Sequence, residues 1–173
     1  MPGFEIQLSG GHPNSLGNTL TVVETVLENP SQFHELFNCY FSEDEVVRLR
    51  VSNAMKRICK QNPGLLIPYI DKFLTDIAAI NQASTQWTLA QLFLMLEKHL
   101  SAQQKTKAVE IMKNNLQHHN DWIVLNMTME TLGKWAVKDT VLKDWLIPHL
   151  KRILADTRKS VAKKAKKTWE ALR

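Results

Sequence analysis

Apolar residues recur along this chain at helical rather than strand spacing, and the same apolar stripe returns more than once. Residues 66–76 read Leu-Ile-Pro-Tyr-Ile-Asp-Lys-Phe-Leu-Thr-Asp, and residues 146–156 read Leu-Ile-Pro-His-Leu-Lys-Arg-Ile-Leu-Ala-Asp. At this offset of 80, Leu66 pairs with Leu146, Ile67 with Ile147, Ile70 with Leu150, Phe73 with Ile153 and Leu74 with Leu154; Pro68 and Pro148 coincide as well. Two repeats of about forty residues fit that offset. The segment ahead of each copy also repeats. Asp44, Val47, Val51, Ala54, Met55 and Ile58 are echoed by Asp121, Val124, Thr128, Thr131, Leu132 and Trp135, and again by Val161, Ala165, Thr168, Trp169 and Leu172. A period near 3.6 predicts amphipathic helices.

The punctuation gives the boundaries. Ser42-x-x-Glu45 predicts a capping box, and Asn62-Pro63 an N-cap followed by a proline in the first turn. Pro68 and Pro148 lie a turn further in, where a missing amide bends a helix. The pattern predicts nine helices, near 15–28, 31–41, 44–60, 63–79, 84–99, 102–117, 121–137, 140–155 and 158–172. These make four pairs and a closing helix, in one domain over 15–173. Residues 1–14, with Gly10-Gly11, are expected to be a flexible segment. No pair buries its stripe alone, so neighbours must stack into one core.

Asp44-x-x-Val47-Arg48 with Ala54-Met55 and Ile58 resembles the first helix of a HEAT repeat, and the two Leu-Ile-Pro segments resemble the second. Over residues 15–173 the chain is similar to small single-domain bacterial HEAT-repeat proteins. The resemblance implies an all-α, right-handed α-α superhelix. It implies no activity. Arg48 has no counterpart at Leu125 or Ala162, and Thr128, Thr131 and Thr168 stand where small apolar residues are usual.

Composition changes little of this. Hydrophobic residues make up 44% and charged residues 23% of the chain, an ordinary balance for a globular domain. No window matches a membrane span, and the N-terminus lacks the basic start and apolar stretch of a secretory signal. Cys39 and Cys59 both fall inside helical patterns, so a reduced, cytoplasmic setting is expected rather than a disulfide framework.

Charge adds more. Residues 1–100 carry 7 Lys/Arg and 10 Asp/Glu, whereas residues 101–173 carry 15 and 7. The closing helix holds Arg158, Lys159, Lys163, Lys164, Lys166, Lys167 and Arg173 against Glu170 alone. A polar outer face prevents end-to-end stacking of a solenoid, but that role does not require charge of one sign.

The chain has no phosphate-binding glycine loop, no His-Glu-x-x-His, no Cys-x-x-Cys and no nucleophile elbow. Neither an enzyme nor a cofactor is expected. His118, His119 and Asp121 form the best metal-like spacing, yet three or four ligands are needed; Asp121 reads better as a helix cap. Trp135 and Trp169 fall on the core stripe, whereas Trp122 and Trp145 sit early in their helices, where a partner could reach them.

The resemblance implies that the second helix of each pair lines a concave face. The candidate partner-binding residues there are Tyr69, Lys72, Lys105, Lys113, Lys143, His149, Lys151 and Arg152, joined by Lys159, Lys163 and Lys166 on the closing helix. Two function classes stay open. The first is a scaffold binding a protein or peptide of acidic character. The second is nucleic-acid binding, with phosphates met by the basic half; within it, a resemblance to HEAT-like DNA glycosylases finds no matching acid–aromatic–arginine site.

Overall fold

In the computed structural model, which describes residues 1–173, the chain is all helix, with no strand. Ten helices follow in order: α1 (Phe4–Leu8), α2 (Thr19–Glu28), α3 (Phe33–Asn38), α4 (Glu45–Gln61), α5 (Ile70–Lys72), α6 (Ala83–Met95), α7 (Ala102–His118), α8 (Trp122–Ala136), α9 (Thr140–Ile153) and α10 (Lys159–Ala171). Short 3-10 turns flank α3 on both sides, and α5 runs into a π-helical turn, Phe73–Ile77.

The even-numbered helices pack each on the next, α2 on α4, α4 on α6, α6 on α8 and α8 on α10. Of the odd-numbered helices, α7 lies between α6 and α8 and α9 between α8 and α10. One continuous cluster of 41 buried apolar residues runs from Phe4 to Leu172. Three of the five repeated pairs are buried in it, Leu66 with Leu146, Ile70 with Leu150 and Phe73 with Ile153, whereas Ile67 is exposed and Ile147 and Leu154 are half-buried.

Small side chains set the spacing of the even helices. Thr131 donates its hydroxyl to the Ala90 carbonyl at 2.7 Å, tying α8 to the backbone of α6. Gly133 admits the Thr168 methyl where α10 crosses α8; a Cβ there would lie 2.5 Å from Thr168 Cγ2. Thr131 and Thr168, which stand where small apolar residues are usual, therefore sit where the helices approach most closely.

The N-terminus departs from expectation. Residues 1–14 do not form a loose segment: they fold back as α1, whose Phe4 and Leu8 are buried in the core. The cause is Arg50, on the buried side of α4 between the core positions Val47 and Val51. Arg50 is 2% exposed, and its guanidinium donates to the carbonyls of Leu8 (2.7 Å), Gly10 (2.6 Å), His12 (3.2 Å) and Ser15 (3.2 Å). Gly10 and Gly11 hold φ of 73° and 75°, a region open to glycine at little cost, so the segment wraps the cation. Glu35 secures α1 by accepting from the Phe4 amide at 2.8 Å.

Two caps also differ. Asp44, not Ser42, caps α4 by accepting from the Val46 amide, while Ser42 Oγ accepts from the Asp44 amide. A reciprocal capping box does form, at Ser101 and Gln104 of α7. Asn62 makes no side-chain cap. Pro63 and Pro68 break the expected 63–79 helix into turns, whereas Pro148 is carried within α9. Asp121 caps α8 through the Ile123 and Val124 amides. Cys39 and Cys59 are free and buried, and burial pushes the Cys59 thiol up to about 11.

Candidate functional site on the basic helices

The fold distributes the eleven candidate partner-binding residues over four places. The densest lies between α7 and α9. Trp145 and His149 are four residues apart, hence neighbours on one face of α9. Their rings stack with centroids 4.1 Å apart at an interplanar angle of 33°. Lys113 reaches over from α7, with Nζ 4.7 Å from the Trp145 ring centroid, a cation–π distance. Arg152, one turn beyond His149, directs its guanidinium toward the Leu116 carbonyl at 3.5 Å. His149 is held below the ordinary histidine range, first by burial, then by the positive charges of Arg152 and Lys113.

The next place lies between α9 and α10. Lys151 Nζ sits 5.7 Å and the Arg173 guanidinium 5.3 Å from the Trp169 ring. Lys143 is half-buried on α9. Lys159, Lys163 and Lys166 are exposed on α10, opposite its buried Val161, Ala165 and Thr168. Trp169, expected in the core stripe, is only half-buried, and the two cations cover part of its ring.

The remaining candidates lie elsewhere. Tyr69 and Lys72 belong to α5 and its leading turn, 80 residues before His149 and Arg152. Tyr69 packs on Phe33 and Phe37 of α3, with ring centroids 4.9 and 4.7 Å away, and its hydroxyl meets His34 Nδ1 at 3.2 Å. Lys72 rests above Phe37 and Tyr69. Lys105 is already engaged: it pairs with Glu97 at 2.9 Å and covers the buried Trp135 ring at 4.8 Å.

Among Lys72, Lys113, Lys143, Lys151, Arg152, Lys159, Lys163 and Lys166, none forms an ion pair within the chain; the four that occur are Lys105–Glu97, Lys134–Glu130, Arg158–Asp156 and Lys164–Glu130. The molecule thus carries a set of unneutralised cations, several of them propped on aromatic rings.

No family model matches the chain, and no curated protein or solved structure matches it.

Two other features of the surface are structural. A cleft of about 470 Å³ opens beside the end of the π turn, lined by Gln86, Glu110, Asn115, His118 and neighbours. Its deepest amides are already committed: Gln86 donates to the Ala78 and Ile80 carbonyls, and Asn115 donates to Gln86 Oε1. His119 accepts from the Asp121 amide and turns toward its own backbone. No helix is long and apolar enough to cross a membrane.

On the α8–α10 side, Glu130 binds both Lys134 (2.9 Å) and Lys164. The hydrogen bonds from Lys164 and Lys134 hold its carboxyl down to about 2. A depressed carboxylate stabilises the fold above its unfolded pKa and loses that contribution as pH falls through the folded value. Melting temperatures of the parent and Glu130→Gln should therefore differ by a constant amount above pH 5 and converge as pH falls toward 2. The gap at neutral pH corresponds to about 1 kcal/mol, since this pair network is part-exposed and screened by water. Equal melting at every pH would show that the network contributes nothing.

Proposed function

We propose that this chain is a non-enzymatic binding scaffold, a right-handed stack of HEAT-like helix pairs, whose groove between α7 and α9 takes an acidic segment of a partner protein. The observation that carries the reading is the arrangement at Trp145: Lys113 and His149 both lie against its ring, Arg152 stands one turn on, and no carboxylate of the chain pairs with Lys113 or Arg152. Arginine and lysine held on aromatic rings keep less conformational freedom, so less is lost when a carboxylate binds. Lys151 and Arg173 at Trp169 extend the cationic track toward α10. Trp122, an exposed aromatic residue at the start of α8, offers an anchor for an apolar side chain of the same partner.

The second reading is nucleic acid bound through its phosphates. The solvent-facing Lys159, Lys163 and Lys166 favour it. The cations packed on Trp145 and Trp169 count against single strands, because a covered ring has no face left for a base to stack on.

The test is a titration of the full chain, followed by tryptophan fluorescence, with a Glu-rich amphipathic peptide and with a mixed-sequence DNA duplex, each at low and high salt. The peptide should bind, and Lys113→Gln with Arg152→Gln should weaken it by roughly tenfold or more, the loss of two charge-assisted contacts. Tight duplex binding with a steep salt slope and no peptide binding would replace the first reading by the second.

A further inference from the structure

The charge of the chain is separated between the two ends of the helix series. Residues 1–47 contain seven Asp/Glu and no lysine or arginine; residues 158–173 contain seven Lys/Arg and one acid. The series of even helices begins at α2 and ends at α10. No ion pair of the chain involves any residue before Glu97. Each end therefore carries charge that nothing in the same molecule neutralises.

The faces that carry it are unpartnered. α2 buries Thr19, Val22, Val23 and Val26 against the core. Its opposite side shows Leu20, 46% exposed, with Glu24 and Glu28 exposed beside it. α10 buries Val161, Ala165 and Thr168 and shows Lys159, Lys163 and Lys166 on the far side. At 1.5 Å rise per residue, Glu24 and Glu28 lie about 6 Å apart along their helix, as do Lys159 and Lys163 along theirs. Two such helices side by side bring both pairs into register. Lysine stems supply apolar cover for the exposed Leu20.

We propose that copies of this chain assemble head to tail, with the lysine face of α10 in one copy seated on the Leu20–Glu24–Glu28 face of α2 in the next. This contact continues the even-helix series across the molecular boundary, since α2 of the second copy takes the place that a further even helix would occupy. It uses two different faces of the protein, so it propagates as an open row unless the rotation closes a ring. It accounts for the single sign of charge on the closing helix, which a lid alone does not require. The groove at Trp145 takes no part in it.

Sedimentation velocity of the full chain tests this. At low salt the weight-average sedimentation coefficient should rise with concentration, and at high salt it should fall back to the monomer value, because contacts between exposed charges are screened. Two variants fix the faces. The head variant, Glu24→Lys with Glu28→Lys, and the tail variant, Lys159→Glu with Lys163→Glu and Lys166→Glu, should each sediment as monomers while keeping parental helicity and melting. Mixed in equal amounts they should associate again, since the acidic tail of one now meets the basic head of the other. A parent that stays monomeric at every concentration in low salt overturns the proposal. So does association that either variant leaves intact, or a mixture of the two folded variants that stays monomeric. Self-association seen only after DNA is added also overturns it, and assigns the α10 face to phosphates.

Discussion

Replacing Arg50 with methionine should release the first 17 residues from an otherwise folded protein. Methionine keeps the apolar stem but leaves the carbonyls of Leu8, Gly10, His12 and Ser15 without the donor they share. Those carbonyls regain partners only by moving out to water, which withdraws Phe4 and Leu8 from the core. No carboxylate touches the guanidinium, so the buried charge is balanced by peptide dipoles alone, and the cation and its wrapping stand or fall together. Hydrogen bonds to a charged group are individually strong, and breaking a buried arrangement from one side leaves unsatisfied partners; the expected loss is about 3 kcal/mol. Hydrogen exchange should show residues 4–17 unprotected while the amides of α6 and α8 stay slow. Limited proteolysis should cut near Gly10-Gly11. Gly17→Ala probes the same clamp from the other side. It has φ 52°, and a Cβ there would stand 3.0 Å from Arg50 Cζ and Nη1, so a smaller version of the same release is expected. If Arg50→Met melts with the parent and keeps the segment protected, the apolar contacts of α1 hold it without the clamp.

Arg50 marks the boundary of what the sequence discloses. The apolar stripes of α4, α5, α8 and α9 are visible because each is a local periodicity, and the 80-residue echo says which stripe positions are equivalent. Burial of Leu66, Leu146, Leu150 and Phe73 follows from that alone. Arg50 lies three residues after Val47 and one before Val51, a core-facing position. A buried cation there has meaning only through carbonyls 35 to 42 residues away, and no local pattern reports them. The glycines at 10, 11 and 17 look like a loose segment for the same reason: left-handed backbone serves a tight wrap as well as a flexible one, and the object being wrapped is distant. The cap of α4 was displaced by two residues because Ser42, Asp44 and Glu45 offer competing oxygens, and Asp44 reaches the Val46 amide from the better position.

The candidate site was half legible. Basic residues on α7, α9 and α10 are evident from charge, and Trp145 with His149 from i, i+4 spacing. That Lys113 covers Trp145 is a matter of helix packing across more than 30 residues, and Lys105 is spent on Glu97 in the turn that precedes α7. Glu130 carries no signal in the sequence, since a single acid on α8 looks like ordinary surface until α10 brings Lys164 against it.

Among the glycines, Gly133 has the least room for a side chain, and the effect of filling it has a sign that can be reversed. Gly133→Val should strip α10 from α8. The first carbon of any side chain at 133 falls 2.5 Å from Thr168 Cγ2, a separation that no van der Waals contact tolerates, and valine adds two more methyl groups. Overpacking of this kind costs about 1–3 kcal/mol, with valine at the upper end. Gly133→Ala is the informative variant, because two effects oppose each other. Alanine in a helix interior is favoured over glycine by about 1 kcal/mol, while its Cβ displaces the Thr168 methyl. The net change should be destabilising. Thr168→Ser removes that methyl and retains the hydroxyl, which donates to the Lys164 carbonyl at 2.8 Å and lies 3.9 Å from the new Cβ. In the Thr168→Ser background Gly133→Ala should therefore become neutral or stabilising, with a coupling of about 1–2 kcal/mol between the two sites. Chemical denaturation of the four proteins in this cycle measures it. Additive effects would mean that α10 slides over α8 without resistance, and that Gly133 does not set their spacing.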